Sequence, residues 1–86
     1  MEKKIASVSI IVENTDSVEA LNRCLHEFGP YIIGRMGLPY QVESRKIHII
    51  SIAVDATQEV ITALTSEIGA LAGVSVQTAC SSITHC

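Results

Sequence analysis

Ser9-Ile-Ile-Val-Glu13 and Ser51-Ile-Ala-Val-Asp55 are two stretches of one pattern, placed in the two halves of an 86-residue chain. Each lies in a run whose residues alternate between two faces, as in a β-strand. Each is followed by a helical pattern that closes at a glycine, Gly29 or Gly69. The chain therefore reads as two copies of a strand-helix-strand unit. Two such units predict an α+β, ferredoxin-like fold with the order βαββαβ and an antiparallel sheet of strand order 4-1-3-2.

The element bounds follow from the periodicity around these repeats. The predicted strands cover residues 5–12, 31–36, 47–54 and 74–80. A break at Gly37-Leu-Pro-Tyr40 predicts a polar loop through residue 46. Residues 81–86 are expected to form a terminal tail. One domain is therefore predicted over residues 1–86, with its core at about 5–80, because a chain of this length supports a single hydrophobic core.

Both helices carry a start signal. Asp16 with Glu19, and Asp55 with Gln58, have the spacing of a capping pair. Apolar residues at intervals of three and four follow each signal, so each helix is expected to bury one face. Since two helices cover only one side of a four-stranded sheet, we expect the other side to stay open.

The open side of the sheet is predicted to be too apolar to face water. The residues assigned to it are Ile5, Ser7, Ser9, Ile11, Ile47, Ile49, Ser51 and Ala53. Uncovered apolar patches usually mark interaction surfaces, and small Ser and Ala side chains permit close approach of a second sheet. We therefore expect a homo-oligomer, a dimer or a tetramer, that assembles through this face.

The composition of the chain limits the kinds of molecule that we expect it to bind. A formal net charge of −3 gives no general attraction to phosphate backbones, so direct nucleic-acid binding is not expected. No apolar run approaches the roughly 20 residues that span a bilayer, so no membrane insertion and a cytoplasmic location are predicted. Cys24, Cys80 and Cys86 are odd in number and irregularly spaced, which favours free thiols over a disulfide framework.

Catalytic motifs are absent from the sequence. His26, His48 and His85 belong to no recognised nucleophile and base arrangement, and no glycine-rich phosphate-binding fingerprint is present. We therefore expect no enzymatic activity and no cofactor. Metal binding stays open as an alternative through His48, Cys80, His85 and Cys86, because thiolates and imidazoles are ligands of zinc and nickel.

Ile33-Gly-Arg-Met-Gly-Leu-Pro-Tyr40 is the least ordinary segment. Its glycines allow close backbone approach, and its arginine can clamp a carboxylate or phosphate. The alternative is a strand end and turn in which the arginine is solvated. The candidate ligand-binding residues are Gly34, Arg35, Met36, Gly37 and Tyr40, together with His48 at the start of the third strand.

Four stretches resemble the family of iron-only hydrogenase system regulators. They are Val8-Ser-Ile-Ile-Val12, His26-Glu-Phe-Gly29, Tyr31-Ile-Ile-Gly-Arg-Met-Gly-Leu-Pro-Tyr40 and Gly73-Val-Ser-Val-Gln-Thr78. The similarity extends over nearly the whole chain, and its most specific part is Gly-Arg-Met-Gly-Leu-Pro-Tyr. The resemblance implies an ACT-like fold, similar to the ligand-binding domain of nickel-responsive repressors, and regulation by small ligands bound between subunits.

Two departures limit what the resemblance implies. The third strand reads Ile47-His48-Ile49 and lacks the His-x-His pair of a nickel repressor, and the turn at Glu13–Ser17 lacks the Pro-Gly of many amino-acid-binding ACT domains. We expect the module to lack a DNA-binding segment of its own, because the first predicted strand already begins at Ile5. The leading hypothesis is an oligomeric regulatory or ligand-sensing module that acts through a small effector and a protein partner. The alternatives are a structural interaction module without a small ligand, and a metal sensor.

Overall fold

The order of elements places all four strands in one sheet. The structure, a computed structural model, describes residues 2–86. Within them the elements are β1 (Lys3–Val12), α1 (Val18–Glu27), β2 (Ile32–Val42), β3 (Arg45–Ala56), α2 (Gln58–Gly69) and β4 (Val74–His85). The strands pair antiparallel in the order β2-β3-β1-β4, which is the predicted order 4-1-3-2 read from the other edge. The predicted α+β, ferredoxin-like class is confirmed.

The core lies between the sheet and the two helices. Its buried apolar residues are Ala6, Val8, Ile10 and Val12 of β1, Ile50, Ile52, Val54 and Ala56 of β3, and Leu21, Leu25, Ile61, Leu64 and Ile68 of the helices. Alternate residues of β1 and β3 are therefore buried, as their period of two predicted. His48, which shares the buried side of β3, is only half-buried. It lies opposite Val12, the last residue of β1.

The helix starts differ from the predicted capping pairs. The side chain of Thr57, and not that of Asp55, accepts the N-terminal hydrogen bond of α2 from the amide of Val60 at 3.4 Å. Ahead of α1, a 3₁₀ turn at Thr15–Ser17 is capped by Asn14, whose Oδ1 accepts from the amide of Asp16. Among residues 2–86, neither helix has the length and hydrophobicity needed to cross a membrane.

Residues 37–46 do not form the predicted polar loop. β2 continues to Val42, turns through Glu43 and Ser44, and pairs back from Arg45. Proline is tolerated in an edge strand, and β2 is an edge of this sheet, so Pro39 does not end the pairing. β1 ends at Val12, opposite His48. Beyond this point β2 and β3 pair only with each other and form a two-stranded extension of the sheet. We call residues 39–47 the hairpin arm.

The C-terminal residues do not form the predicted tail. β4 extends past Cys80 to His85, with His85 opposite Lys3 and Thr84 opposite Lys4 of β1. A register shift between Lys4 and Ala6 accommodates the extra length of β4. The imidazole Nε2 of His85 lies 2.6 Å from Oδ1 of Asp55. The end of the chain is therefore joined to the sheet by both backbone pairing and a side-chain contact.

A tight backbone contact joins the loops after β1 and before β4. Gly73 has φ of +67°, a left-handed conformation that favours glycine, and its carbonyl accepts from the amide of Glu13 at 2.8 Å. A Cβ at this position would lie 2.6 Å from Cβ of Asn14. Next to it, the hydroxyl of buried Ser17 donates to the carbonyl of Ala72 at 2.6 Å.

We predict that Gly73→Ala lowers the free energy of unfolding by about 2–3 kcal/mol, because it adds both left-handed strain and a backbone clash. Gly37→Ala is the matched control, since a Cβ there would meet nothing within 4 Å. Its effect should stay within about 0.5 kcal/mol. Urea unfolding followed by circular dichroism measures both values. Equal effects of the two substitutions would contradict this account of the Gly73 contact.

Candidate functional site

The predicted ligand-binding residues lie on opposite faces of the sheet. Gly34, Met36 and Tyr40 pair with Ala53, Ser51 and Ile47 of β3. These β3 residues alternate with the buried set, and directly paired residues share a face, so the three candidates lie on the open side. Arg35 and Gly37 pair with buried Ile52 and Ile50, and therefore lie on the helix side.

Arg35 contacts the protein's own first helix. Its Nη2 donates to Oδ1 of Asn22 in α1 at 2.9 Å. The side chain therefore links β2 to α1 across the outer edge of the helix layer. Gly34 and Gly37 have open space where a Cβ would be, so neither is required by close packing in the described residues.

A groove of about 580 Å³ lies between the hairpin arm and the start of α1. Its lining residues are Thr15, Val18, Pro39, Tyr40, Gln41, Lys46, Ile47 and His48. Of the predicted ligand-binding residues, Tyr40 and His48 are among them. Gln41 and Lys46 were missed because the sequence placed them in a loop. The alternation of apolar Leu38, Tyr40 and Val42 is the signal that would have found this part of the strand.

The electrostatics of the groove are set by Lys46, the one lining residue with a permanent charge. No carboxylate is among the lining residues. Within residues 2–86, the ion pairs join Arg23 to Glu19 and His85 to Asp55, so neither involves Lys46. The lining residues therefore carry a net positive charge, although the chain as a whole is negative.

The open side of the sheet carries a long apolar surface. Its large exposed residues are Ile5, Ile11, Met36, Leu38, Tyr40, Val42 and Ile49. Met36, Leu38 and Tyr40 are 69%, 55% and 60% exposed. At its centre, small residues face each other across β1 and β3, with Ser9 opposite Ser51. We call this surface the open face. It contains the residues assigned to it from the sequence and continues along β2 onto the hairpin arm.

Comparison with known proteins identifies the family. Residues 4–78 match the family described as "TM1266-like: Iron-only hydrogenase system regulator, putative". The chain belongs to this family. No curated protein matches the sequence.

One solved structure is similar to this chain over nearly its whole length. The uncharacterized protein TM1266 from Thermotoga maritima is 28% identical, covers 91% of this chain and 96% of its own, and superposes with a TM-score of 0.81. CPII from Thiomonas intermedia K12, solved with ADP, AMP and acetate, is 18% identical, with 96% and 93% of the two chains covered and a TM-score of 0.60. The second likeness concerns the fold alone.

In this TM1266-like chain, the four candidate metal ligands are not brought together. His48 lies at the groove, whereas His85 contacts Asp55, seven residues further along β3 and so roughly 23 Å away. Cys80 and Cys86 are free and exposed. Residues 2–86 contain no group of three or more His, Cys, Asp or Glu side chains able to hold a metal ion.

Cys24 is the cysteine with an unusual environment. Burial raises the pKa of its thiol to about 11, and the negative charge of Glu67 adds to the shift. Its Sγ lies 3.7 Å from Oε2 of Glu67, to which the thiol donates. Because the thiolate is the reactive form, this cysteine is poorly suited to nucleophilic or redox chemistry near neutral pH.

We predict that Cys24 reacts with iodoacetamide at least about tenfold more slowly than Cys80 at pH 8, because its raised pKa keeps it protonated. The rate at Cys24 should rise with the thiolate fraction, about tenfold for each pH unit, and level off above about pH 11. Peptide mass spectrometry of the folded protein measures each site. Glu67→Gln removes the neighbouring charge and should accelerate Cys24 while leaving Cys80 unchanged. Equal rates at Cys24 and Cys80 would contradict the assignment.

Proposed function

We propose that this chain is a non-enzymatic regulatory module of an iron-only hydrogenase system that acts by changing its assembly. Copies associate through the open face, a small effector binds in the groove, and a protein partner recognises the resulting arrangement. The family membership supports the regulatory role. The observation that carries the proposal is the apolar open face, which no element among residues 2–86 covers.

The chemistry of the open face supports association with a second copy. The interface residues proposed from the sequence are small at the centre, and large apolar side chains extend from them along β2. Small side chains at the centre permit two sheets to approach closely. The molecule measures 46 × 18 × 16 Å, so its long side presents on the order of 800 Å², the area that a standard interface takes from each partner.

The hairpin arm connects this surface to the groove. Tyr40 and Ile47 line the groove, and their strand positions also belong to the open side. Lys46 and Gln41 alternate with them on the other side of the same ribbon. A ligand that orders the arm therefore changes the surface presented to a second copy, and its differential affinity shifts the assembly equilibrium.

The assembly proposal predicts that Leu38→Lys and Ile49→Lys, made singly, each weaken self-association at least about tenfold. The two residues face each other across β2 and β3, and both are exposed, so a lysine adds a charge to the interface without entering the core. Ala63→Lys adds the same charge on the exposed side of α2 and should leave association unchanged. Size-exclusion chromatography with light scattering over a range of concentrations measures the equilibrium.

Two results would overturn the assembly proposal. One is an unmodified protein that stays monomeric at every concentration. The other is an oligomer that Leu38→Lys and Ile49→Lys leave as stable as Ala63→Lys does. Circular dichroism spectra of the three variants establish that each retains the fold, so loss of association is not confused with unfolding.

The effector proposal predicts that at least one small compound stabilises the protein. A ligand at 100 times its dissociation constant adds about 2.7 kcal/mol, which raises the melting temperature by about 10–20 °C for a domain of this size. The panel contains amino acids, organic acids, divalent metals and nucleotides, including the ADP and AMP present with CPII. An oligomer with no stabilising compound would refute the sensing role and favour the structural interaction module. Stabilisation by a divalent metal alone would favour the metal sensor.

A further inference from the structure

We propose that the groove binds a small organic anion with an apolar part, and that Lys46 and His48 hold its anionic group. This inference rests on the proposed sensing function and names the chemical class of the effector. It is carried by three features of the groove: the placement of its polar groups, its charge and its apolar wall.

The polar groups converge from two strands. Lys46 and His48 are two residues apart on β3, so their side chains lie on one side of the arm about 6.6 Å apart along the strand. Gln41 lies directly opposite Lys46, and Pro39 directly opposite His48. Thr15, in the turn before α1, adds a hydroxyl-bearing side chain to the lining of the groove. An oxyanion between these groups would receive donors from both walls of the groove.

The charge of the groove favours an anion over a cation. The ammonium of Lys46 has no ion-pair partner among residues 2–86, and no carboxylate lines the groove. A bound cation would therefore meet a like charge and no carboxylate to compensate it. An anion would pair with Lys46, and charge-assisted hydrogen bonds are stronger than neutral ones.

The apolar residues that line the groove indicate that the ligand also has an apolar part. Val18 is half-buried at the start of α1, and Pro39 lies across from it on the arm. The volume of about 580 Å³ falls within the range of small-molecule pockets and exceeds what a bare inorganic anion fills. A carboxylate or phosphate ester with a short hydrocarbon part matches both the charge and the space.

The test is an NMR titration of the full chain with 4-methylpentanoate, its neutral isostere 4-methylpentanamide and inorganic phosphate. We expect shift changes centred on residues 39–48 and Thr15, and at least tenfold weaker binding of the amide and of phosphate than of the carboxylate. Lys46→Met keeps the side-chain stem and removes the charge, and should weaken carboxylate binding at least tenfold. Arg45→Met is the matched control, because Arg45 lies beside Lys46 but on the open side. It should change binding by less than twofold.

Three outcomes would overturn the inference: no shift changes in the groove with either anion, equal binding of the amide and the carboxylate, or equal loss in the two variants. Phosphate binding as tight as that of the carboxylate would overturn the requirement for an apolar part. Light scattering on the same samples separates this test from the proposed function. Assembly without anion binding refutes only the present inference, whereas anion binding by a protein that never assembles refutes the assembly role.

Discussion

The antiparallel pairing of β1 with β3 is the constraint on which the other features depend. With Ser9 opposite Ser51, each residue of the central pair is assigned to the core or to the open face. A slip of β1 by one residue against β3 would move Val8 and Ile10 to the open side and bring Ser7 and Ser9 toward the core. Loss of burial costs about 1.5–3 kcal/mol for each large aliphatic side chain, so one register is strongly selected. Because β2 pairs with β3, the same register also decides which residues of β2 face the helices and which lie on the open face.

The β2–β3 hairpin carries both the groove and part of the open face. β2 and β3 continue to pair past the end of β1, as far as Val42 and Arg45, and alternation along these strands sends successive side chains to opposite sides. One side continues the apolar surface through Met36 and Leu38. The other side carries Lys46 and His48 beside the first helix. In the mechanism we propose, a change on one side reaches the other through this shared backbone, without a longer pathway through the core.

The sequence predicted the strand order, the core of β1 and β3 and the apolar character of the open face, because each depends on a strong period of two or a repeated pattern. The prediction from sequence was wrong where a local turn signal opposed strand pairing at the edge of the sheet. Gly37 and Pro39 indicated a loop, but the edge position of β2 tolerates both. Glu43, with φ of 58°, makes the turn without the Asn-Gly pair that usually marks a hairpin. Because these residues were predicted to lie in a loop, Lys46 and Gln41 were not among the candidate site residues. The groove that they line therefore differs from the site predicted from the sequence.

The projecting ribbon also has a consequence for local stability. Beyond His48 its hydrogen bonds join only two strands, and isolated two-stranded ribbons are marginally stable in water. Its amide protons can exchange with solvent through openings that leave the β1 and β3 core intact, at a free energy below that of global unfolding. A bound molecule or a neighbouring subunit that closes those openings acts on a low-stability region, where a small amount of binding energy produces a large change in order.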